Sequence, residues 1–159
     1  MAARAFVLNF DAEHELAQPS AYQPQQAVQA RFSALTQRLG NLLNANDVVV
    51  TSQTQPGSLR DYRGVAWCPT PRALLQLQAA GAQVPKAPPL QVLQRVNDRR
   101  FGVDLDQGPL PSHYVTSLDE ALSVFNQGSA TSEWLAKRSF SFAARGQRML
   151  TSSRTRVVM

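Results

Sequence analysis

The chain has 159 residues, a net charge of +5 and a hydrophobic fraction of 43%, which predict a folded globular protein of one domain or one and a half. Most of the positive charge is arginine, since Lys86 and Lys137 are the only lysines, and this basic balance favours an acidic partner. The single cysteine, Cys68, excludes an internal disulfide, and the lack of a long apolar run excludes a membrane helix or signal peptide, so we expect a cytoplasmic protein.

The first half of the chain alternates short apolar runs with helical patterns. Three apolar runs predict buried strands over 5–10, 47–51 and 64–68. A helix is predicted over 25–44, where apolar residues recur at steps of four and three: Val28, Phe32, Leu35, Leu39 and Leu42. A second helix runs from Pro71 to Ala80, with Thr70 as its N-cap and Gly81 at its end. This order predicts a parallel sheet covered by helices.

Charged side chains follow the first predicted strand, at Asp11, Glu13, His14 and Glu15. Ligands of open α/β sheets bind at the carboxyl ends of the strands, so one interpretation places these side chains against a ligand. The alternative is a solvated loop in which Asp11 caps a turn. One histidine among acidic residues is a weak zinc signal, because the only other histidine is His113, and we predict no metal site.

The second half begins at a proline-rich connector over 84–89, where we place a domain boundary. The predicted elements beyond it are a helix over 90–101, a loop over 102–111, a strand over 112–116, and a helix closed by 127–129. Ser117 and Glu120 form a capping box at the start of that last helix.

The most informative segment of this half runs from Trp134 to Leu150. It predicts a strand carrying Lys137, a loop with Arg145 and Gly146, and a second strand. Lysine places a compact charge on a long stem, and glycine lets the main chain approach an anion closely. Together with the arginine-bearing helix and the Ser-Leu-Asp-Glu helix start, this order resembles the front half of the ATP-grasp ligases. The segment 7–13 also looks like the start of some bacterial members.

The resemblance implies an α/β fold with a Rossmann-like pre-ATP-grasp domain over 1–88 and a truncated ATP-grasp α+β subdomain over 89–159. It implies relict nucleotide-binding residues at Arg99, Arg100, Lys137 and Gly146. Two departures oppose retained activity. Ala143 and Ala144 stand where a glycine is expected, and no Asp or Glu follows Lys137 before the sequence ends at Met159. Because the C-terminal half of the family supplies the magnesium ligands, we expect no catalytic residue, metal or cofactor here.

Strand edges exposed in a truncated ligase need a cover, either a second copy in a homodimer or an added peptide strand. Residues 132–159 carry one acidic residue, Glu133, and six basic ones that are candidate peptide-binding residues: Lys137, Arg138, Arg145, Arg148, Arg154 and Arg156. The chain is similar to truncated accessory proteins of ribosomal-peptide pathways such as the crocagin pathway. The resemblance implies a non-catalytic homodimer that binds the leader of a precursor peptide and assists tailoring enzymes.

Three alternatives remain at this point. Lys137 and Arg145 are also compatible with a solvated basic strand face. The chain could form half of a split ATP-dependent carboxylate-amine ligase, completed by a second polypeptide. Nucleic-acid binding ranks third, because the sequence has no aromatic-basic recognition motif or dense lysine cluster.

Overall fold

The computed structural model describes residues 3–24, 26–40, 42–105, 111–128, 133–141 and 147–150. Within these ranges the chain is a mixed α/β protein with six helices, a three-stranded parallel sheet and a two-stranded antiparallel ribbon. It divides into two compact units, Met1–Gln94 and Arg95–Met159, here called unit 1 and unit 2. None of the helices in the described ranges combines the length and apolar character needed to cross a membrane.

The sheet of unit 1 consists of β1 (Arg4–Val7), β2 (Val48–Val49) and β3 (Arg63–Ala66) in the order β2-β1-β3. Both neighbours run parallel to β1, so that Ala5 pairs with Val48 on one side and with Gly64 on the other. The three strands and their parallel arrangement were predicted, although each strand is shorter than its apolar run. The apolar run of β2 extends past the strand to Val50, which is buried and whose amide still donates to the Phe6 carbonyl at 2.8 Å.

Three helices of unit 1 follow these strands, namely α1 (Ala12–Ala17), α2 (Gln26–Gly40) and α3 (Pro71–Ala80). The ends of α3 are as predicted, since Thr70 Oγ1 accepts a hydrogen bond from the Ala73 amide and Gly81 adopts the left-handed conformation. A β-carbon at Gly81 would lie 2.8 Å from Gly57 Cα, so glycine also permits a close approach of the main chain.

The apolar stripe predicted for α2 is confirmed only in part. Phe32 is buried and its ring lies 5.8 Å from that of Phe10. Leu42, in contrast, is 78% exposed and lies beyond the end of the helix, so its inclusion in the core-facing stripe was wrong. The side chain of Val28 lies outside the described residues. Helical periodicity predicts a burial face only as far as the helix continues.

An ion pair ties the start of β1 to the residue before β2. Arg4 donates to Asp47 from Nη2 at 2.6 Å and from Nε at 3.1 Å. These hydrogen bonds lower the pKa of Asp47 from 3.8 to about 2. Since the folded-state pKa lies below the unfolded one, the ionised carboxylate stabilises the fold at neutral pH, and this contribution is lost as the pH falls from about 4 through 2.

We therefore expect Asp47→Asn to flatten the acid limb of the stability profile of the protein. The measurement is the urea midpoint at pH 7, 4 and 2.5, compared between the native chain and the variant. Asp61→Asn is the control, because Asp61 is exposed and forms no ion pair with another described residue. An equal loss of stability on acidification in the native chain and in Asp47→Asn would contradict this assignment.

The helices α4 (Leu90–Asn97), α5 (Arg99–Asp104) and α6 (Leu118–Gln127) come next, and the division between the units falls within α4. The single helix predicted over 90–101 was wrong. The chain leaves the helical conformation at Asp98, whose carboxylate accepts a hydrogen bond from the Arg100 amide and starts α5. Gly102 then lies inside α5 and does not begin a loop as predicted.

The strand predicted over 112–116 is absent from the described residues, which show no regular structure there. The backbone of His113, Tyr114 and Val115 forms no hydrogen bond with another described residue. Residues of good strand propensity such as Tyr114 and Val115 do not make a strand when no neighbouring chain pairs with them. The capping box after it is confirmed at Ser117, whose Oγ accepts from the Glu120 amide at 3.1 Å.

The other half of the capping box is shifted by one residue. Glu120 Oε2 accepts hydrogen bonds from the amide of Thr116 at 2.7 Å and from its Oγ1 at 2.9 Å. These bonds hold the pKa of Glu120 below its usual value. The helix start predicted from the sequence is therefore correct, with Thr116 taking the place of the N-cap amide.

The antiparallel ribbon consists of β4 (Trp134–Ala136) and β5 (Arg148–Leu150), as the strand-loop-strand prediction required. Lys137 follows β4 directly and does not lie within it.

Candidate functional site

A cluster of polar side chains occupies the carboxyl ends of β1 and β3 in unit 1. The side chains of Asp11 and Glu15 are only 6% and 5% exposed, and both form ion pairs with Arg72. Asp11 Oδ2 accepts from Arg72 Nη2 at 2.6 Å and from the Tyr22 hydroxyl at 2.5 Å. Glu15 accepts from the Thr70 hydroxyl at 2.7 Å and from the Arg72 amide at 3.1 Å.

This cluster contradicts one of the two interpretations of the segment that follows β1, while a ligand contact there stays a prediction. The solvated loop was wrong, because the segment forms α1 and buries Asp11 and Glu15. Asp11 stands at the N-cap position of α1, but its side chain caps nothing there. Partners within the chain engage both carboxylates, so the cluster holds α1 against the start of α3. Sequence reasoning missed the role of Arg72, although the four-residue spacing of Asp11 and Glu15 is the helical spacing that puts both on one face.

Asn9 and Cys68 extend the same network between β1 and β3. Asn9 Nδ2 donates to the Cys68 carbonyl at 2.8 Å, and the Cys68 amide donates to Asn9 Oδ1 at 3.1 Å. Burial, together with the nearby carboxylates of Glu15 and Glu13, raises the pKa of the Cys68 thiol. The thiol is therefore protonated at neutral pH and lacks the thiolate character of a nucleophilic cysteine.

Within the described part of the chain, no group of three or more histidine, cysteine, aspartate or glutamate side chains is arranged to hold an ion.

The ribbon of unit 2 presents two different faces. Directly opposed residues of an antiparallel pair share a face, and successive residues alternate between faces. Leu135 pairs with Met149 on one face, and Trp134 pairs with Leu150 on the other. The Trp134 ring lies 5.8 Å from that of His113, so this residue packs on unit 2, while Leu150 on the same face is 41% exposed. Leu135 and Met149, on the other face, are 44% and 53% exposed.

Three of the predicted peptide-binding residues lie on or beside this ribbon. Lys137 and Arg138 follow β4, Arg148 pairs with Ala136, and all three are exposed. None of them forms an ion pair with another described residue. Arg145, Gly146, Arg154 and Arg156 lie outside the described residues. The structure therefore places the three described members of the predicted set on one ribbon, with Arg148 on the face of Trp134 and Leu150 and not on that of Leu135 and Met149. Sequence reasoning did not single out this exposed Leu135–Met149 pair.

Arg99 and Arg100, predicted as relict nucleotide contacts, have different surroundings. Arg99 points its guanidinium at the main chain that follows β4, donating to the carbonyls of Arg138 and Ser141. Arg100 lies over the Tyr114 ring at 5.3 Å, and its Nε is 3.8 Å from Asp104 in an exposed pair. Their predicted role toward a nucleotide stays a prediction.

Arg100 also borders an open cleft of about 530 Å³ in unit 2, between α5, the residues before α6, and α6 itself. The lining is mixed, with polar groups from Ser112, Thr116 and Ser123 beside the apolar Val103 and Val124. Glu120 also lines it, but its carboxylate is engaged by Thr116. The cleft is shallow and has no buried charge without a partner among the described residues.

No protein-family model, curated protein or solved structure matches this chain. Function is therefore inferred from the arrangement of its own residues. The ribbon surface, defined here as Leu135, Met149, Lys137, Arg138 and Arg148, is the candidate site, because it combines exposed apolar groups with positive charge that has no acidic partner among the described residues.

Proposed function

We propose that the protein is a non-catalytic accessory protein whose ribbon surface binds an acidic peptide segment, the leader of a ribosomally made precursor. The observation that carries the proposal is the exposed Leu135–Met149 pair on a short ribbon that also carries the exposed cations Lys137, Arg138 and Arg148. Apolar groups exposed together and rimmed by charge are typical of interaction sites. In this proposal the apolar pair provides affinity, and the three cations select the partner.

The backbone of the ribbon favours an extended partner. Among the described residues, no third strand pairs with β4 or β5, so each strand offers one edge to an added strand. Main-chain pairing at such an edge tolerates many sequences, and side chains then supply selectivity. An added strand directs alternate residues to the same face. The preferred peptide therefore places apolar residues two apart, where they cover Leu135 and Met149, with acidic residues nearby.

Charge favours an acidic peptide over a second copy of the chain at this surface. Residues 132–159 contain six basic residues and one acidic residue, so two copies would bring like charges together. A peptide rich in carboxylates meets complementary charge instead. Exposed ion pairs are worth only about 0.2–1 kcal/mol each, so they select and steer while apolar contact provides most of the affinity. A homodimer formed through the ribbon is an outcome that the test distinguishes.

We further propose the finer fold assignment, a Rossmann-like domain followed by an ATP-grasp subdomain. The parallel order β2-β1-β3 with helices after the strands supports the first part. The antiparallel pair β4–β5, with Lys137 at the end of β4, supports the second. Leader-peptide binding in a natural-product pathway follows from this assignment together with the ribbon surface.

The test is calorimetric titration of the protein with a synthetic peptide that alternates glutamate and leucine. A peptide with lysine in place of glutamate is the charge control, and we expect it to bind at least tenfold more weakly. The double variant Leu135→Ser/Met149→Ser should lose about thirtyfold in affinity, since each half-exposed side chain contributes about 1 kcal/mol of apolar burial. Leu118→Ser, which removes a leucine that is 73% exposed on α6, is the matched control and should leave the affinity unchanged.

The charge contribution is tested with Lys137→Glu/Arg148→Glu, which should weaken binding several-fold and reduce its salt dependence. Arg60→Glu/Arg63→Glu makes the same change in net charge at exposed positions of unit 1 and should have no effect. Absence of binding to either peptide would reject the proposal. Turnover of ATP to ADP by the purified protein would favour the ligase alternative. A peptide-dependent change in sedimentation from dimer to monomer would assign the ribbon to a second copy.

A further inference from the structure

Arg99 connects the start of α5 to the segment that follows β4. Its Nε donates to the Arg138 carbonyl at 3.0 Å, and its amide donates to the Ser139 carbonyl at 3.2 Å. Its Nη2 donates to the Ser141 carbonyl at 2.8 Å and to the Ser141 hydroxyl at 3.0 Å. Ser141 is 4% exposed, so part of this connection is shielded from water. One residue thus donates to the carbonyls of three residues within the segment 138–141.

The break between α4 and α5 sets the direction of Arg99. Asp98 has an extended backbone and caps α5, which makes Arg99 the first residue of that helix. The amide of a first helical residue has no acceptor within its own helix, and here it is free to donate to Ser139. The planar guanidinium then reaches two separate carbonyls with fixed geometry, which a lysine ammonium on a flexible stem does not reproduce.

A second contact acts on the same segment. The Tyr114 hydroxyl lies 3.1 Å from Ser139 Oγ, and the Arg100 guanidinium lies over the Tyr114 ring at 5.3 Å. The first two residues of α5 therefore both act on 138–141, Arg99 directly and Arg100 through Tyr114. Arg138 belongs to the ribbon surface and Lys137 precedes it, so this bracing determines where two of the three cations are held.

We infer that Arg99 is a positioning residue for the ribbon surface. It orders the segment 137–141 and so fixes Lys137 and Arg138 in place for an acidic peptide, and this inference rests on the proposed function. Arg99 acts through the main chain and does not touch the peptide. A direct phosphate contact would require its guanidinium to leave the carbonyls of Arg138 and Ser141. Arg99 therefore contacts the protein's own main chain, whereas the exposed cations are accessible to a peptide.

The experiment compares Arg99→Lys and Arg99→Ala in the full chain by two readouts. Nitrogen-15 relaxation reports the order of the 137–141 amides, and titration with the alternating glutamate-leucine peptide reports affinity. We expect both variants to lose order at 137–141 and to bind about tenfold more weakly, with unchanged amide signals in unit 1. Arg95→Lys, an exposed arginine on the neighbouring helix, is the control and should change neither readout.

The two variants separate positioning from direct contact. If Arg99→Lys binds the peptide as well as the native chain does, charge is sufficient and the inference is overturned. Unchanged relaxation at 137–141 in Arg99→Ala would also overturn it. If the native chain binds no peptide, the proposed function fails, and the relaxation data alone then decide whether Arg99 orders the segment. Loss of amide dispersion throughout unit 2 in both variants would show a folding role and would reject positioning.

Discussion

Leu77→Ala is expected to lower the free energy of unfolding of unit 1 by about 2–5 kcal/mol, the range for truncating a buried leucine. Leu77 is completely buried on α3 and belongs to the core formed with Ala5 and Val7 of β1. It fits against β3 because Gly64 has no side chain, and a β-carbon there would lie 3.0 Å from Leu77 Cδ1. Removal of Cγ and both Cδ atoms leaves a cavity in this core.

The matched control is Leu75→Ala, two residues earlier on the same helix. Leu75 is 63% exposed, so its truncation changes helix propensity slightly and creates no cavity, with an expected effect within about 0.5 kcal/mol. The measurement is urea unfolding followed by far-ultraviolet circular dichroism at 25 °C. Similar midpoints for the two variants would show that α3 does not pack on the sheet through Leu77.

Arg72→Ala is expected to destabilise unit 1 by about 2–4 kcal/mol, because it leaves two buried carboxylates without their cation. Asp11 and Glu15 retain only the hydroxyl donors of Tyr22 and Thr70 and the amide of residue 72. The estimate lies below the usual range for a buried pair, since the Arg72 side chain is 30% exposed and water reaches it in part.

A second substitution tests the cause of this loss. Asp11→Asn removes one of the two carboxylates, so Arg72→Ala/Asp11→Asn should be less destabilised than the sum of the single variants. Arg60→Ala, at an exposed arginine of unit 1, is the control and should have little effect. The free energies come from the same urea titrations. Strict additivity of the two substitutions would show that Asp11 and Arg72 do not interact.

Sequence patterns of a few residues correctly predicted the helix ends, which are set by hydrogen bonds between residues close together in the chain. The cap at Thr70 and the left-handed Gly81 bound α3 as expected, and Ser117 starts α6, because capping bonds span only a few residues. The two strands β4 and β5, joined by a loop, were also predicted from the residue pattern. The break at Asp98 was available from the same rules, since aspartate is a good N-cap, but the apolar pattern of the surrounding residues favoured one continuous helix.

Local patterns were thus sufficient for most of the elements, for the basic character of the second half and for the candidate cations Lys137, Arg138 and Arg148, but not for the break within 90–101 or for the unpaired segment 112–116. Tertiary structure alone decided that Arg72 meets Asp11 and Glu15, that Leu135 and Met149 share an exposed face, and that Arg99 turns toward the main chain after β4. These contacts join residues far apart in the chain. Composition and spacing report how a segment folds on itself, whereas the partner of a buried charge depends on which segments the fold brings together.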